Sequence, residues 1–292
     1  MKSIMSIAIL MHFSLCGIAQ KPKIMKECTI KLRDNKVKIS YIKKGQGDTS
    51  LLFLHGWCIN GRYWENQINY FSKDFSVYAI DLPGFGKSSA DRDIWTIEAY
   101  AKDLSAFINS LELKSVILVG HSLSGEIMMQ TALDGNSNII GIVGIDNFKL
   151  IDVEFTPEQV KQFQSFFPLL QSDFKANAPV YAENMLFHPS TSFEIKERIK
   201  FDFANSDPKI GYSTFFNLIQ FSQTVPEKLE KLPYKLYLIN SDFTPTNEQG
   251  LENHCLKGFK ALYISESGHY PMIEKPEEFN NLLSEILVFL SK

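Results

Sequence analysis

Cysteine is scarce in this chain, four among 292 residues, and none lies in a C-x-x-C or Cys/His ligand spacing. No disulfide framework is readable from them, and no metal site or cofactor motif is expected. Charge of one sign is lacking too. Thirty Lys and Arg against 33 Asp and Glu leave a formal net charge of -3, and the basic residues are scattered, with no stripe that could neutralise phosphates, which argues against a nucleic-acid partner. Internal repeats and low-complexity linkers are absent. What remains, 45% hydrophobic and 22% charged residues, is the composition of a globular chain with a sizeable core.

The N-terminus is read separately from the fold. Lys2 precedes an apolar stretch from Ile4 to Ile18, interrupted by Ser3, Ser6, His12 and Ser14 and ending in Gly17-Ile18-Ala19-Gln20. Small residues at the -3 and -1 positions of a cut after Ala19 are the layout of a secretory signal, and the stretch is short for a span of about 20 residues. The expectation is a signal peptide over 1–19, with a secreted or periplasmic mature chain and no stable membrane insertion after cleavage. An uncleaved anchor and lipidation of Cys16 are the alternatives, the second weakened because Phe13-Ser14-Leu15 lacks the small residue expected before a lipidated cysteine. Cleavage leaves Cys28, Cys58 and Cys255, an odd number whose default is burial as small apolar residues.

Along the rest of the chain two periodicities alternate. Thr29 to Lys43 reads as a hairpin around Asp34-Asn35. Short apolar runs at Leu51–Leu54, Phe75–Ile80, Val116–Val119, Ile139–Ile145, Leu236–Ile239 and Ala261–Ile264 read as buried strands. Helical segments lie between them; in one, Ile97, Tyr100, Ala101, Leu104, Phe107, Ile108 and Leu111 recur at intervals of three and four. This pattern predicts an α/β fold, a mostly parallel central sheet flanked by helices. The rhythm breaks over 148–225, where eleven phenylalanines from Phe163 to Phe221 follow no strand-helix order. That segment is expected to be a mainly helical cap inserted into a core made of 20–147 and 226–292. Most of its phenylalanines are expected to pack between helices and some to face the sheet, where folds of this kind bind ligands.

The most specific motif is Val116-Ile-Leu-Val-Gly120-His121-Ser122-Leu123-Ser124-Gly125, a strand entering a small-residue turn that opens a helix. A nucleophile elbow needs this arrangement. The serine occupies a strained turn that exposes its hydroxyl, and small neighbours two places either side let strand and helix approach. Ser124 stands where G-x-S-x-G has its second glycine. The plainer alternative is a turn in which Ser122 caps the helix.

With this motif the chain resembles the α/β-hydrolase family, and three more segments match in the family's order. Leu51-Leu-Phe-Leu-His55-Gly56-Trp57 resembles its strand and oxyanion loop, Asp81-Leu-Pro-Gly84-Phe-Gly86-Lys-Ser88 its following turn, and Ser267-Gly268-His269-Tyr270-Pro271 the loop of its catalytic histidine. The resemblance implies a Ser122 nucleophile, a His269 base and oxyanion donors in the backbone amides of Trp57 and Leu123. The Trp57 ring either walls an acyl pocket or packs under the cap. His55 and His121 are expected to serve structural hydrogen bonds.

The triad acid is the departure. Where the family usually has an acid past the strand at Leu236–Ile239, this chain reads Ser241-Asp242-Phe243-Thr244, with threonine in the expected place. A variant of the fold takes its acid from the end of the preceding strand, where Asp146 lies in Gly144-Ile145-Asp146-Asn147. Asp146 is favoured slightly over Asp242.

These readings imply a serine hydrolase forming an acyl-enzyme, with a small-molecule partner: a carboxylesterase for small to medium apolar esters. The alternatives are the same triad applied to a C-C bond, a lactone or perhydrolysis, and a non-catalytic binding module. Haloalkane dehalogenases and epoxide hydrolases are also similar, but their displacement chemistry needs an aspartate at the elbow. Intact mass of exported protein tests the N-terminal reading. A mature chain beginning at Gln20 is the expected result, and one that retains Met1 or carries lipid on Cys16 contradicts it.

Overall fold

The computed structural model describes residues 26–34 and 36–290. The expected signal segment, Cys16 included, lies outside them. Among the described residues nine strands form one sheet: β1 (Lys26–Leu32), β2 (Val37–Lys44), β3 (Ser50–Leu54), β4 (Ser76–Ile80), β5 (Ser89–Ala90), β6 (Val116–His121), β7 (Ile139–Ile145), β8 (Leu236–Ser241) and β9 (Phe259–Ile264). Their order is β1-β2-β4-β3-β6-β7-β8-β9, with β5 paired to β2. The pairs made by β2 are antiparallel, and every pair from β4·β3 to β8·β9 is parallel.

The flanking helices are α1 (Glu65–Phe71), α2 (Ile97–Ser110), α3 (Ser124–Leu133), α4 (Pro157–Ser172), α5 (Phe174–Met185), α6 (Phe193–Asn205), α7 (Pro208–Ser222), α8 (Val225–Glu230), α9 (Glu248–His254), α10 (Pro271–Glu274) and α11 (Pro276–Leu290). Among the described residues no helix is long and apolar enough to cross a membrane.

Both faces of the sheet are covered, so the central strands are apolar without alternation. Every residue of β3 and β6 is buried. The apolar stripe read in the sequence buries one face of α2, whose Thr96 hydroxyl caps the helix by accepting from the Ala99 N–H at 3.2 Å. The expected hairpin forms between β1 and β2, with Ile30 opposite Ile39.

The insertion is helical, as expected, and α4 to α7 run between β7 and β8. α4 begins with a capping box, in which Thr156 and Gln159 satisfy each other's backbone N–H. Its phenylalanines divide more evenly than the sequence suggested. Phe174, Phe187, Phe203, Phe215 and Phe221 are buried, while Phe193 and Phe201 are 71% and 67% exposed. α5 packs on α4, α6 and α7, and aromatic side chains that face away from these contacts stay exposed.

One core-facing helix carries a carboxyl group with a measurable consequence. Glu126, in the first turn of α3, buries its Oε2 without a partner. Burial pushes its pKa up to about 8, although a backbone N–H at the helix start favours the ionised form. A carboxyl raised in the folded state stabilises below its unfolded value of about 4.3 and loses that contribution as pH climbs through the folded value. Glu126→Gln cannot ionise, so its Tm relative to wild type should rise between about pH 5 and 9. Thermal melts that keep a constant offset across this range would contradict the assignment.

Candidate active site

The elbow forms where β6 meets α3. Ser122 has φ 51°, a left-handed backbone costing about 1–3 kcal/mol for a residue with a side chain. The strain is held by hydrogen bonds on both sides: the Ser122 N–H donates to the Ile145 carbonyl at 2.9 Å, and the Gly125 N–H to the Ser122 carbonyl at 2.7 Å. The Asn147 amide adds bonds to the carbonyls of Gly120 and Ser122 at 3.3 and 3.4 Å. A Cβ on Gly125 would stand 2.0 Å from Asn147 Nδ2, which is why glycine follows Ser124. Ser124 itself is fully buried and donates its hydroxyl to the His55 carbonyl at 2.6 Å. The departure from G-x-S-x-G thus ties the elbow to the neighbouring loop.

That loop, His55-Gly56-Trp57, lies against the serine; a Cβ added to Gly56 would be 3.3 Å from Ser122 Cβ and 2.5 Å from His121 Nδ1. His55 accepts the Leu82 N–H at Nε2 (2.8 Å), so its Nδ1–H donates to the Gly56 carbonyl at 2.7 Å and the ring is a neutral brace. Burial holds its pKa below the ordinary value, outweighing the charge of Asp81. Cys58, next in the chain, has φ 59°. The N–H groups of Trp57 and Leu123 make no bond to a backbone carbonyl in the loops and turns of the described residues.

The Trp57 ring packs under the cap and is 6% exposed. Its centroid lies 5.0 Å from Phe203, 4.8 Å from Phe215 and 5.6 Å from Phe174, and its Nε1–H donates to the Gly211 carbonyl of α7 at 2.9 Å.

His269 stands on the loop between β9 and α10, and three contacts fix it. The Glu274 carboxylate accepts the N–H groups on either side of it, those of Gly268 at 2.9 Å and Tyr270 at 3.0 Å. The His269 N–H donates to the Leu186 carbonyl of the insertion at 2.8 Å. From the elbow, His121 lays its ring 4.6 Å from the His269 ring and donates its Nε2–H to the His269 carbonyl at 2.7 Å. Burial and the neighbouring His269 hold the His121 pKa well below its usual value, so its buried Nδ1 is an unprotonated, partnerless acceptor. His121 therefore links the loops of Ser122 and His269.

The structure brings Asp146, not Asp242, to the imidazole. Asp146 Oδ2 accepts from His269 Nδ1 at 2.6 Å. Asp146 follows β7 with φ 47° and donates its N–H to the Ile239 carbonyl at 3.0 Å. Asp242 is exposed and forms no side-chain hydrogen bond among the described residues. Strand geometry gives the reason. Ser241, the last residue of β8, turns its hydroxyl to Asp146 Oδ1 at 3.0 Å, so the alternation of side chains carries that of Asp242, just past the strand, to the other side, where it is exposed.

Two contributors were not anticipated from the sequence. Glu274 is one, hidden as an ordinary acid in a short helix. Lys149 is the other: its buried ammonium lies 2.6 Å from Asp146 Oδ1 and 3.2 Å from the Ser241 hydroxyl. A lysine between Phe148 and Leu150, just past a buried strand, was the available signal. Burial alone would push the Asp146 carboxyl up, but the hydrogen bonds and charges of His269 and Lys149 prevail and hold it far below the usual range. Among the described residues no cluster of three His, Cys, Asp or Glu side chains could hold a metal ion.

A sequence profile described as the alpha/beta hydrolase fold matches residues 49–194, half of the chain. The chain belongs to the α/β-hydrolase fold family. It is 26% identical over 253 residues to the pimeloyl-[acyl-carrier protein] methyl ester esterase of Vibrio vulnificus, covering 82% of this chain and 95% of that protein. Its match to the same-named esterase of Proteus mirabilis is 30% over 108 residues, covering 37% of this chain and only 40% of the relative. A 35% match over 106 residues joins it to a non-heme chloroperoxidase of Burkholderia pyrrocinia, 35% of this chain and 38% of that one. Among solved structures, an esterase from Thermogutta terrifontis shares the fold at TM-score 0.75 and 21% identity, covering 91% of this chain and all of that one.

In this α/β-hydrolase chain Glu274 is the link most readily tested. Glu274→Ala leaves two N–H groups and the Thr191 hydroxyl, 2.6 Å away, without their charged acceptor. It should lower stability by about 2–3 kcal/mol in urea unfolding. A variant as stable as wild type would show that the carboxylate does not hold the loop.

Proposed function

We propose that the protein is a serine hydrolase that cleaves carboxylic esters of small to medium apolar acids through an acyl-enzyme, with Ser122 as nucleophile, His269 as base and Asp146 as acid. The observation that carries this reading is the 2.6 Å bond between His269 Nδ1 and Asp146 Oδ2, on a loop that His121 fastens to the left-handed turn of Ser122.

With Nδ1–H committed to Asp146, the free imidazole nitrogen is Nε2, the form required to accept a proton. Ser122 Oγ attacks the ester carbonyl as its proton passes to His269. The tetrahedral oxyanion is received by the N–H groups of Trp57 and Leu123. Collapse expels the alcohol, which takes the proton from His269, and water then attacks the acyl-enzyme with His269 again as base, releasing the acid and restoring Ser122. A serine at the elbow forms an ester with the acyl group, and displacement at an epoxide carbon is left to relatives with an aspartate there.

The similarity to a chloroperoxidase favours one second reading, in which hydrogen peroxide replaces water as the attacking group and the product is a peracid. Peracid formation in an ester assay with added peroxide separates the two.

A fluorophosphonate should label Ser122. Ser122→Ala and His269→Ala should each abolish labelling and lower ester turnover by about 10⁴–10⁶, without additivity. Asp146→Asn should cost up to about 10⁴ in turnover, and Asp242→Asn almost nothing. Labelling that survives loss of His269, or a crippling effect confined to Asp242→Asn, would reverse the assignments.

A further inference from the structure

Lys149 has no place in the steps above, yet its ammonium is as buried as the carboxylate it meets, with side chains 7% and 5% exposed. Two non-glycine residues in left-handed conformation, Asp146 at φ 47° and Phe148 at φ 52°, curl the segment so that Nζ returns to Oδ1. Desolvating an ammonium is costly, and a methionine of similar length would fill the volume without that cost. The pairing divides the carboxylate: Oδ1 accepts from Lys149 Nζ and from the N–H and hydroxyl of Ser241, at 2.6, 2.8 and 3.0 Å, and Oδ2 is left to His269 alone.

The division also sets the charge around the base. His121 faces His269 from β6 and is neutral. Tyr270 is neutral, its buried hydroxyl pushed well above the ordinary value. The Glu274 carboxylate is turned to the backbone of the loop. On the insertion, His188 accepts the Ser190 N–H at Nδ1; in the loop after β9, Glu266 pairs with Lys275, which follows α10, at 3.6 Å. The Lys149 ammonium offsets the charge of the Asp146 carboxylate beside His269. A lone carboxylate there would draw a proton onto the imidazole more strongly. When His269 takes the proton of Ser122, its positive charge forms as the negative oxyanion develops beside it.

We propose that Lys149 is a positioning residue of the triad: its buried ammonium holds Asp146 Oδ1, aims Oδ2 at His269, and lets the enzyme keep turning over in more acidic solution than an unpaired carboxylate would allow. The proposal rests on the triad reading given above.

The experiment is the pH dependence of kcat/KM for p-nitrophenyl acetate in wild type, Lys149→Met, Lys149→Gln and Lys149→Arg, with thermal melts of each. In Lys149→Met the acid limb, where turnover falls as His269 is protonated, should move up by about one pH unit, a tenfold loss on that limb. Its alkaline plateau should stay within about tenfold of wild type. Lys149→Gln should shift the same way, and Lys149→Arg, which keeps the charge, should return the limb toward wild type. If Lys149→Met does not fold, Lys149→Gln and Lys149→Arg decide the matter. A limb that stays in place while stability or plateau rate falls overturns the proposal and leaves Lys149 a packing residue; so does a limb that moves down. Ester turnover that survives Ser122→Ala would remove the triad reading and this proposal with it. An unmoved limb in an enzyme that needs Ser122 removes this proposal alone.

Discussion

The carboxylate of Asp146 is where the parts of the site converge. Its oxygens reach β8 through Ser241, the loop before α10 through His269, and its own chain through Lys149. A negative charge at 5% exposure is stabilised by these donors together; removing one partner of such a pair typically costs about 3–5 kcal/mol. The left-handed backbone at Asp146 is sustained by the same contacts. Elsewhere too, the strained positions around the site, Ser122 and Cys58 among them, lie where neighbouring loops crowd one another. The sheet ends supply the rigid footing, and the strain is the local cost of turning several side chains toward one point.

Histidines do three different jobs within this small region. His55 is a neutral brace between Leu82 and Gly56, His121 a neutral rivet between the turn of Ser122 and the loop of His269, and His269 the ring with its Nδ1 committed to a carboxylate. Their hydrogen-bond partners distinguish them. A donor into Nε2 fixes His55, a carbonyl acceptor at Nε2 fixes His121, and a carboxylate at Nδ1 leaves the other nitrogen of His269 for a proton.

Much of this could be read in the chain beforehand. The continuous apolar strands and the stripe of α2 carry periodicities that burial on two faces, or on one, imposes directly. The elbow was legible because close packing at Gly120 and Gly125 admits few residue types. The choice between Asp146 and Asp242 was not, since it turns on how the chain leaves the ends of two neighbouring strands, β7 for Asp146 and β8 for Asp242, and one residue of register reverses which side chain faces His269. Lys149 and Glu274 stayed hidden for another reason: their roles depend on partners brought from distant parts of the chain, and neither sits in a motif. The uneven burial of the cap phenylalanines was likewise illegible, because helical spacing tells which residues share a face but not whether another helix covers it.

The bond from the Trp57 indole to the Gly211 carbonyl joins the loop after β3 to α7, across a sequence separation of 154 residues. A Cβ at Gly211 would fall 2.3 Å from Phe174, so α5 and α7 are themselves matched to the ring they enclose. The helical insertion is therefore not an interchangeable module. Transplanted onto another scaffold of this family without Trp57, it would arrive with an empty socket lined by Phe174, Phe203 and Phe215; placed over this scaffold, a foreign insertion would have to provide a socket for an indole that already stands there. Recombination between members of the family should respect the pair, carrying the loop and the insertion together.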